Sequence, residues 1–283
     1  NAFRSSLVYD CIERAMDLVE GGSVYSADGG PTAGTISAGD SLAALDEIVF
    51  NQKLLTMEQV LHAMSTNYED METVPAGPEI RAILLNKAPK FGNDDERADK
   101  WVVELEDYIG SSYRYKYRSS KYGKGPVPCC YSYSQSPVTG NIAFGKSIGA
   151  TPDGRKDGQP VNNGISPANG SEKKGATAAC NSVMKLPSIW FQKGAIFNMR
   201  LSKGALDTDE NKEKVIAMIK VLFENYGQQI QFNVVDNKVF KKAMEHPDEY
   251  KDLMVRVSGY SALFTSLSPE CQMDVISRAE LEL

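Results

Sequence analysis

Apolar positions recur at helical spacing through much of the chain. Between residues 5 and 19 they fall at Leu7, Val8, Cys11, Ile12, Ala15, Met16 and Val19, one face of a 3.6-residue repeat. Gly21 and Gly22, following Glu20, supply a C-cap. Residues 23–40 are small and flexible, a loop with one short β-like stretch. "SLAALDEIVF" reads as an amphipathic helix opened by Asp40 or Ser41, and "TMEQVLHAMSTNY" as another, with Thr56 as cap and Glu58 in its first turn. "GPEIRAILLNKAP" is a third, stopping before Pro89, and "DDERADKWVVELEDYIGSSYRYKYRSS" a long fourth.

The pattern changes at Gly123. From there to residue 180 the chain is rich in Gly, Pro, Asn and Ser, a composition usual for linkers. Within it "YSYSQS" and "NIAFGKSIGA" read as short strands and "TPDGRKDGQP" as turns, with Asp153-Gly154-Arg155 expected to form a turn with an ion pair. Long ordered loops of this kind are often functional. Beyond it, "GAIFNMRL" and "QIQFNVVD" read as strands, the second alternating at Ile230, Phe232 and Val234. "TDENKEKVIAMIKVLFENYG", "NKVFKKAMEHPDEYKDL" (interrupted near Pro247) and "SPECQMDVISRAE" (capped by Ser268, with Pro269 at its first position) read as helices. Helices alternating with isolated strands give an α/β class. There is no internal repeat.

Composition narrows the function. The 283 residues suffice for one large domain or two smaller ones, and 42% hydrophobic with 24% charged residues is ordinary for a globular protein. A net charge of −6 without a long basic run argues against nucleic-acid or anionic-membrane partners. No apolar run approaches the roughly 20 residues of a membrane span, and no signal peptide opens the chain, so a cytoplasmic location is expected. Cys11, Cys129, Cys130, Cys180 and Cys271 lack metal-ligand or disulfide spacing and read as reduced thiols. His62 and His246 stand beside no nucleophile, and no phosphate-binding glycine loop joins a strand to a helix. Neither a bound metal nor a bound nucleotide is expected. Asn1 opens the chain inside a helical pattern, which reads as a processed piece, a fragment or one subunit.

The chemistry points to one glycine. In "VRVSGYSALF" a β-prone run is broken at Ser258-Gly259-Tyr260. A glycine there can simply mark a bulge or turn. It can also store a radical. A glycine Cα radical lies between a donating amide nitrogen and an accepting carbonyl, and it flattens because no Cβ opposes planarity.

"RVSGYSALFTSLSPECQMDVISR" resembles the signature of the glycyl radical enzymes, the family of pyruvate formate-lyase, through Arg256, Val257, Ser258, Gly259, Tyr260, Gln272, Asp274, Ile276 and Arg278. Three further blocks resemble the family in the same order: "LVYDCIERAMDLVEGGSVY", "APKFGNDD" and "GKSIGATPDGRKDGQPVNNGISPANGSEKKGATAACNSVMKL". The resemblance implies the C-terminal half of a ten-stranded α/β barrel, two five-stranded half-barrels ringed by helices. Residues 1–229 would form the barrel portion and residues 230–283 the glycyl radical domain. It also implies a radical on Gly259, installed by a separate radical S-adenosylmethionine activase, and strict anaerobiosis. The radical would pass to a cysteine that attacks a small-molecule substrate. Cys129 and Cys130 lie too close to the GATPDGR block to be that cysteine, so the Gly-Cys loop is expected on a segment or chain outside these 283 residues. Alone the chain would not turn over, and the complete enzyme would be a homo-oligomer.

Two substrate contacts are suggested: Glu20, at a position facing the substrate cavity in family members, and Asn198 on the strand "GAIFNMRL". The S-G-Y-S and NNGISPANG blocks look like the lyase branches (dehydratases, C–S and C–N lyases, arylacetate decarboxylases), and aromatic "PSIWFQKGAIFNM" leans toward an aromatic or bulky substrate such as an arylacetate. The alternatives are a fumarate-adding synthase, a formate acetyltransferase, or a non-catalytic radical-domain repair subunit.

Overall fold

A computed structural model describes residues 1–24, 29–115, 118–119, 129–130, 132–278 and 280–281, with 118–119 and 129–130 described as backbone alone. Two short helices open the chain, α1 (Ala2–Ser5) and α2 (Tyr9–Glu13), followed by a 3₁₀ turn at Leu18–Glu20. This corrects the single helix expected over 5–19. Ala15 takes φ 50°, and Leu7, Ile12 and Val19 are 72%, 62% and 62% exposed. The stripe has little to pack on, and an amphipathic helix draws most of its stability from such packing. Gly21 does close the 3₁₀ turn in the left-handed region.

Strand β1 (Gly29–Pro31) leads into α3 (Thr35–Ala44), which runs on as a π-helix to Asn51. The helix begins at Gly34, not at Asp40 or Ser41. Asp40 is instead buried inside it, and its carboxylate accepts the Phe91 N–H at 2.7 Å. Helices α4 (Met57–Ser65), α5 (Gly77–Asn86) and α6 (Glu96–Tyr115) follow, α4 opened by the expected Thr56 cap, completed by Gln59 as a capping box. The pair β2 (Arg118–Ser119) and β3 (Cys129–Cys130) is antiparallel. The thiols expected to pack at Cys129 and Cys130 lie outside the described side chains.

Next come β4 (Ser132–Ser134), α7 (Gly140–Lys146), α8 (Gly175–Met184) and β5 (Asn198–Arg200). The stretch "NIAFGK" is thus helical rather than a strand, because a short apolar run fits either period and burial of Asn141, Ile142 and Gly145 on one turn decides it. The chain ends with α9 (Asp209–Glu224), β6 (Gln231–Asn233), α10 (Asn237–Glu245), β7 (Met254–Arg256), β8 (Ser261–Leu263) and α11 (Pro269–Ser277).

The architecture is mixed α/β. β1 pairs in parallel with β4, a parallel bridge joins Gln135 to Ala195, and β5 pairs in parallel with β6, while β7 and β8 form an antiparallel hairpin. Apolar packing falls into three separate clusters. The largest gathers Tyr133, Phe191, Phe197 and Met199 around β4 and β5, with Ile230, Phe232 and Val234 packed on it. A second lies among α3, α4 and α5. The third is built from Phe240, Ala243, Val255, Val257, Phe264 and Val275, with Val235 at its margin. The seam between first and third clusters therefore falls between Val234 and Val235.

Candidate radical site

The β7–β8 hairpin carries Gly259 at its turn. Val257 N–H donates to the Tyr260 carbonyl at 2.9 Å and closes the turn, and Gly259 takes φ 78°. A side chain there would enter the left-handed region that L-residues avoid, with its Cβ 3.2 Å from Ile196 Cδ1. Val255 and Val257 are buried in the third cluster, and Ser258 is buried as well. Gly259 is exposed and Tyr260 is 38% exposed. The glycine thus faces outward from a turn whose flanks are fixed.

The fixing groups are polar. Gly259 N–H donates to Gln231 Oε1 at 3.0 Å, and Ser258 Oγ–H donates to Asn163 Oδ1 at 2.8 Å. Gln231 Nε2 donates to Asn198 Oδ1, and Asn198 Nδ2 donates to Asn163 Oδ1 at 3.3 Å. The ring closes through the 258–259 peptide. β5 and β6 place Asn198 directly opposite Gln231 and Arg200 opposite Asn233. The period of two puts Ile230, Phe232 and Val234 toward the core and leaves the opposite face for these polar side chains. Asn233 mimics a strand neighbour for Arg256, accepting its N–H at 2.9 Å and donating to its carbonyl at 2.8 Å.

Helix α11 holds the hairpin from behind. Arg278 Nη2 donates to the Val257 carbonyl at 2.7 Å and forms an ion pair with Asp274 at 3.1 Å. Asp274 Oδ1 accepts from Asn141 at 3.0 Å and Asn169 at 3.1 Å. Buried Arg200 reaches Asn237 Oδ1 at 2.8 Å and the Ile276 carbonyl at 3.1 Å. A cavity of about 750 Å³ lies between α11 and the loop around residues 153–171, walled in part by Asp40, Lys90, Arg155 and Asp274. The Gly259 turn does not line it.

Of the residues expected at the site, Gly259 and Asn198 are brought together by this network. Glu20 sits exposed on its 3₁₀ turn, and among the described residues no hydrogen bond joins it to the Gly259 turn. The Asn198 carboxamide is committed to protein partners: Gln231, Asn163 and Ser166 Oγ at 3.3 Å. Trp190 donates to Asp107 at 2.7 Å, while buried Phe191 packs on Tyr133 with ring centroids 5.7 Å apart. Phe191 lies within the largest apolar cluster, and half-buried Trp190 packs at its margin. The Asp153–Arg155 turn is corrected too. The Arg155 guanidinium donates to carbonyls of Gln159 at 2.5 Å and Ile148 at 3.0 Å, and to Gly149, without an ion pair to Asp153. Lys173 and Lys174 are exposed. Sequence reasoning missed Gln231, Asn163 and Asn141. The polar alternates of "QIQFN" and the paired "NN" were the available signals.

Comparison with known proteins gives the family. A family model described as "Glycine radical" matches residues 161–265, and one described as "Pyruvate formate lyase-like" matches residues 1–144. The chain belongs to the glycyl radical enzyme family. It is 38% identical over 278 residues to a probable dehydratase, YbiW, of Escherichia coli K12, covering 98% of this chain and 34% of the relative. It is 35% identical over 280 residues to the trans-4-hydroxy-L-proline dehydratase of Clostridioides difficile, covering 98% of this chain and 33% of the relative. Among solved structures, the glycerol-bound B12-independent glycerol dehydratase of Clostridium butyricum superposes with a TM-score of 0.88 at 36% identity, covering 99% of this chain and 34% of that one. The chain spans about a third of the length of the curated relatives it matches. Within the glycyl radical enzymes its relatives are dehydratases and lyases. Among the described residues no helix is long and apolar enough to cross a membrane, and no group of three His, Cys, Asp or Glu side chains is placed to hold a metal ion.

Proposed function

We propose that Gly259 stores the radical of a dehydratase-type lyase acting on a small molecule. The observation that supports this most directly is the Gly259 backbone. Its Cα carries no Cβ, sits at φ 78°, and keeps its N–H hydrogen-bonded to Gln231. The relatives named as dehydratases support the lyase class.

Activation breaks one Gly259 Cα–H bond homolytically, and the hydrogen atom goes to a carbon radical generated by a radical S-adenosylmethionine activase. In catalysis the glycyl radical takes a hydrogen atom from a cysteine thiol. The C–H bond at Gly259 is restored, and a thiyl radical is left to react with substrate. That cysteine belongs to a segment or chain beyond these residues, and turnover requires it. The exposure of Gly259 and Tyr260 fits that division, since a radical needs a wall that excludes water and oxygen. The strands would contribute to one half of a barrel, and the complete enzyme would be a cytoplasmic homo-oligomer. The activase needs access to Cα, so the unit built on the third apolar cluster would release from the body as a block. Its start would lie near the Val234–Val235 seam, a few residues beyond the boundary expected at residue 230.

The experiment is spin resonance after anaerobic activation of the assembled enzyme. A doublet that collapses when glycine is deuterated at Cα is the expected result. Exposure to air should then cut the chain between Ser258 and Tyr260, read by mass spectrometry. A silent spectrum and an intact chain overturn the assignment.

A further inference from the structure

The amides around Gly259 form more than a ring, because their hydrogen bonds all run one way. Gly259 N–H donates to Gln231 Oε1 at 3.0 Å, and Gln231 donates to Asn198. Asn198 donates to Asn163 at 3.3 Å, Asn163 to Asn141 Oδ1 at 3.1 Å, and Asn141 to Asp274 Oδ1 at 3.0 Å. Four carboxamides thus link the glycine N–H to a carboxylate paired with Arg278.

The direction is dictated by chemistry. A backbone N–H can only donate, so the Gln231 oxygen must face it. The Gln231 nitrogen then faces Asn198 and demands an oxygen there, and the same logic fixes Asn163 and Asn141 in turn. At the far end Asp274 only accepts. Every side chain on the path except Asp274 is an uncharged amide, and each of these residues is buried. In such surroundings hydrogen bonds in series polarise one another, by roughly 10–30% per bond. A carboxylate at the acceptor end pulls each N–H toward it and makes each oxygen upstream a stronger acceptor.

We infer that this directed amide relay is a tuning device: the Asp274 charge, passed through Asn141, Asn163, Asn198 and Gln231, strengthens the pull on the Gly259 N–H. This inference rests on the radical assignment for its consequence. A stronger pull on the N–H raises electron density on the nitrogen, the donor half of the pair that flanks a glycyl radical. The Arg256 guanidinium stands 3.5 Å from the Gly259 carbonyl oxygen, on the acceptor half. Both groups bias the peptides in the direction that spreads an unpaired electron. Gln231, Asn198, Asn163, Asn141 and Asp274 act here as positioning residues, since only Gln231 touches Gly259.

The relay has a readout in the resting protein. Ser258-Gly259 is the one Ser-Gly step in the sequence. Carbonyl-¹³C serine with ¹⁵N-glycine therefore yields a single carbonyl-correlated amide signal, that of Gly259. Asp274→Asn keeps an oxygen for Asn141 and removes the charge. It should move the Gly259 amide proton upfield, and Gln231→Met should move it further. Asn169→Ala, which removes the other amide on Asp274 Oδ1 but lies off the relay, should leave the signal close to its original position. After activation, Asp274→Asn should change the ¹⁵N hyperfine coupling of the glycyl doublet and shorten its lifetime. The inference is overturned if Asp274→Asn leaves the resting amide signal in place, or if Asn169→Ala moves it as far. A wild-type protein that shows no doublet sinks the radical assignment instead, and the resting signal still decides the relay.

Discussion

Arg278 donates to the Val257 carbonyl at 2.7 Å, two residues before Gly259, and it does so from the end of the helix that follows the hairpin. The same nitrogen is paired with Asp274, and both side chains are buried. Removing one partner of a buried pair leaves the other charge uncompensated, at a cost of about 3–5 kcal/mol. Arg278→Met is expected to lower unfolding stability by about 3 kcal/mol and to raise hydrogen exchange over residues 254–263 ahead of the body. Denaturant titration and peptide-resolved exchange check both.

Gly259→Ala separates structure from chemistry. A Cβ at φ 78° meets Ile196 Cδ1 at 3.2 Å, the movable end of a side chain. The left-handed backbone then costs a non-glycine residue about 1–2 kcal/mol. The variant should fold with a small loss of stability and give no persistent doublet after activation. A stable wild-type-like doublet in that variant would contradict the radical assignment.

Burial lifts the Asp40 carboxyl to about 7 against the pull of Lys90 and the Phe91 N–H, and burial lifts Glu172 to about 7 as well. Between the ordinary carboxylate range and pH 7 the folded chain therefore holds protons that the unfolded chain has released. Stability from these groups is full below about pH 4 and is lost as pH rises toward 7. Asp40→Asn should flatten that slope, by at most about 4 kcal/mol across the window. Urea midpoints at pH 4.5 and 7 measure it. An unchanged slope would show that Asp40 ionises freely in the folded chain.

Thiol labelling should separate the cysteines. Cys11 and Cys180 are buried, and burial pushes the Cys180 thiol up to about 12, whereas Cys271 is half-buried on α11. Since thiolates are the reactive form, iodoacetamide at pH 8 should modify Cys271 well before Cys180. Mass spectrometry of the peptides reads the order.

Much of this was legible from residues alone. Glycine at position 259, the Thr56 and Ser268 caps, and the strands at "GAIFNMRL" and "QIQFNVVD" follow from local chemistry that tertiary packing did not override. Residues 5–19 failed because periodicity states that a face exists and not whether anything covers it. Asp40 failed as a cap because its carboxylate is spent on Phe91, 51 residues away. The polar network around Gly259 was invisible for the same reason. Its side chains come from residues 141, 163, 198, 231 and 274, and only the fold brings them into line. Asn198 was noticed, but for substrate, since a single strand does not show that its amide is already taken.

The seam at Val234–Val235 gives the C-terminal unit an unusual fastening. Most of its apolar packing is its own, although Leu281 joins the largest cluster and bridges to Leu201, and many of its other ties to the body are directional: Asn163 to Ser258, Gln231 to Gly259, Asn233 to Arg256, Arg200 to Ile276 and Asn237. Water can offer partners to such hydrogen-bonding groups when they part, whereas Leu281 would have to leave an apolar cluster. On return, each donor finds a single matching acceptor. Were the block to part from the body as proposed, these matched donors and acceptors would set the register of its return.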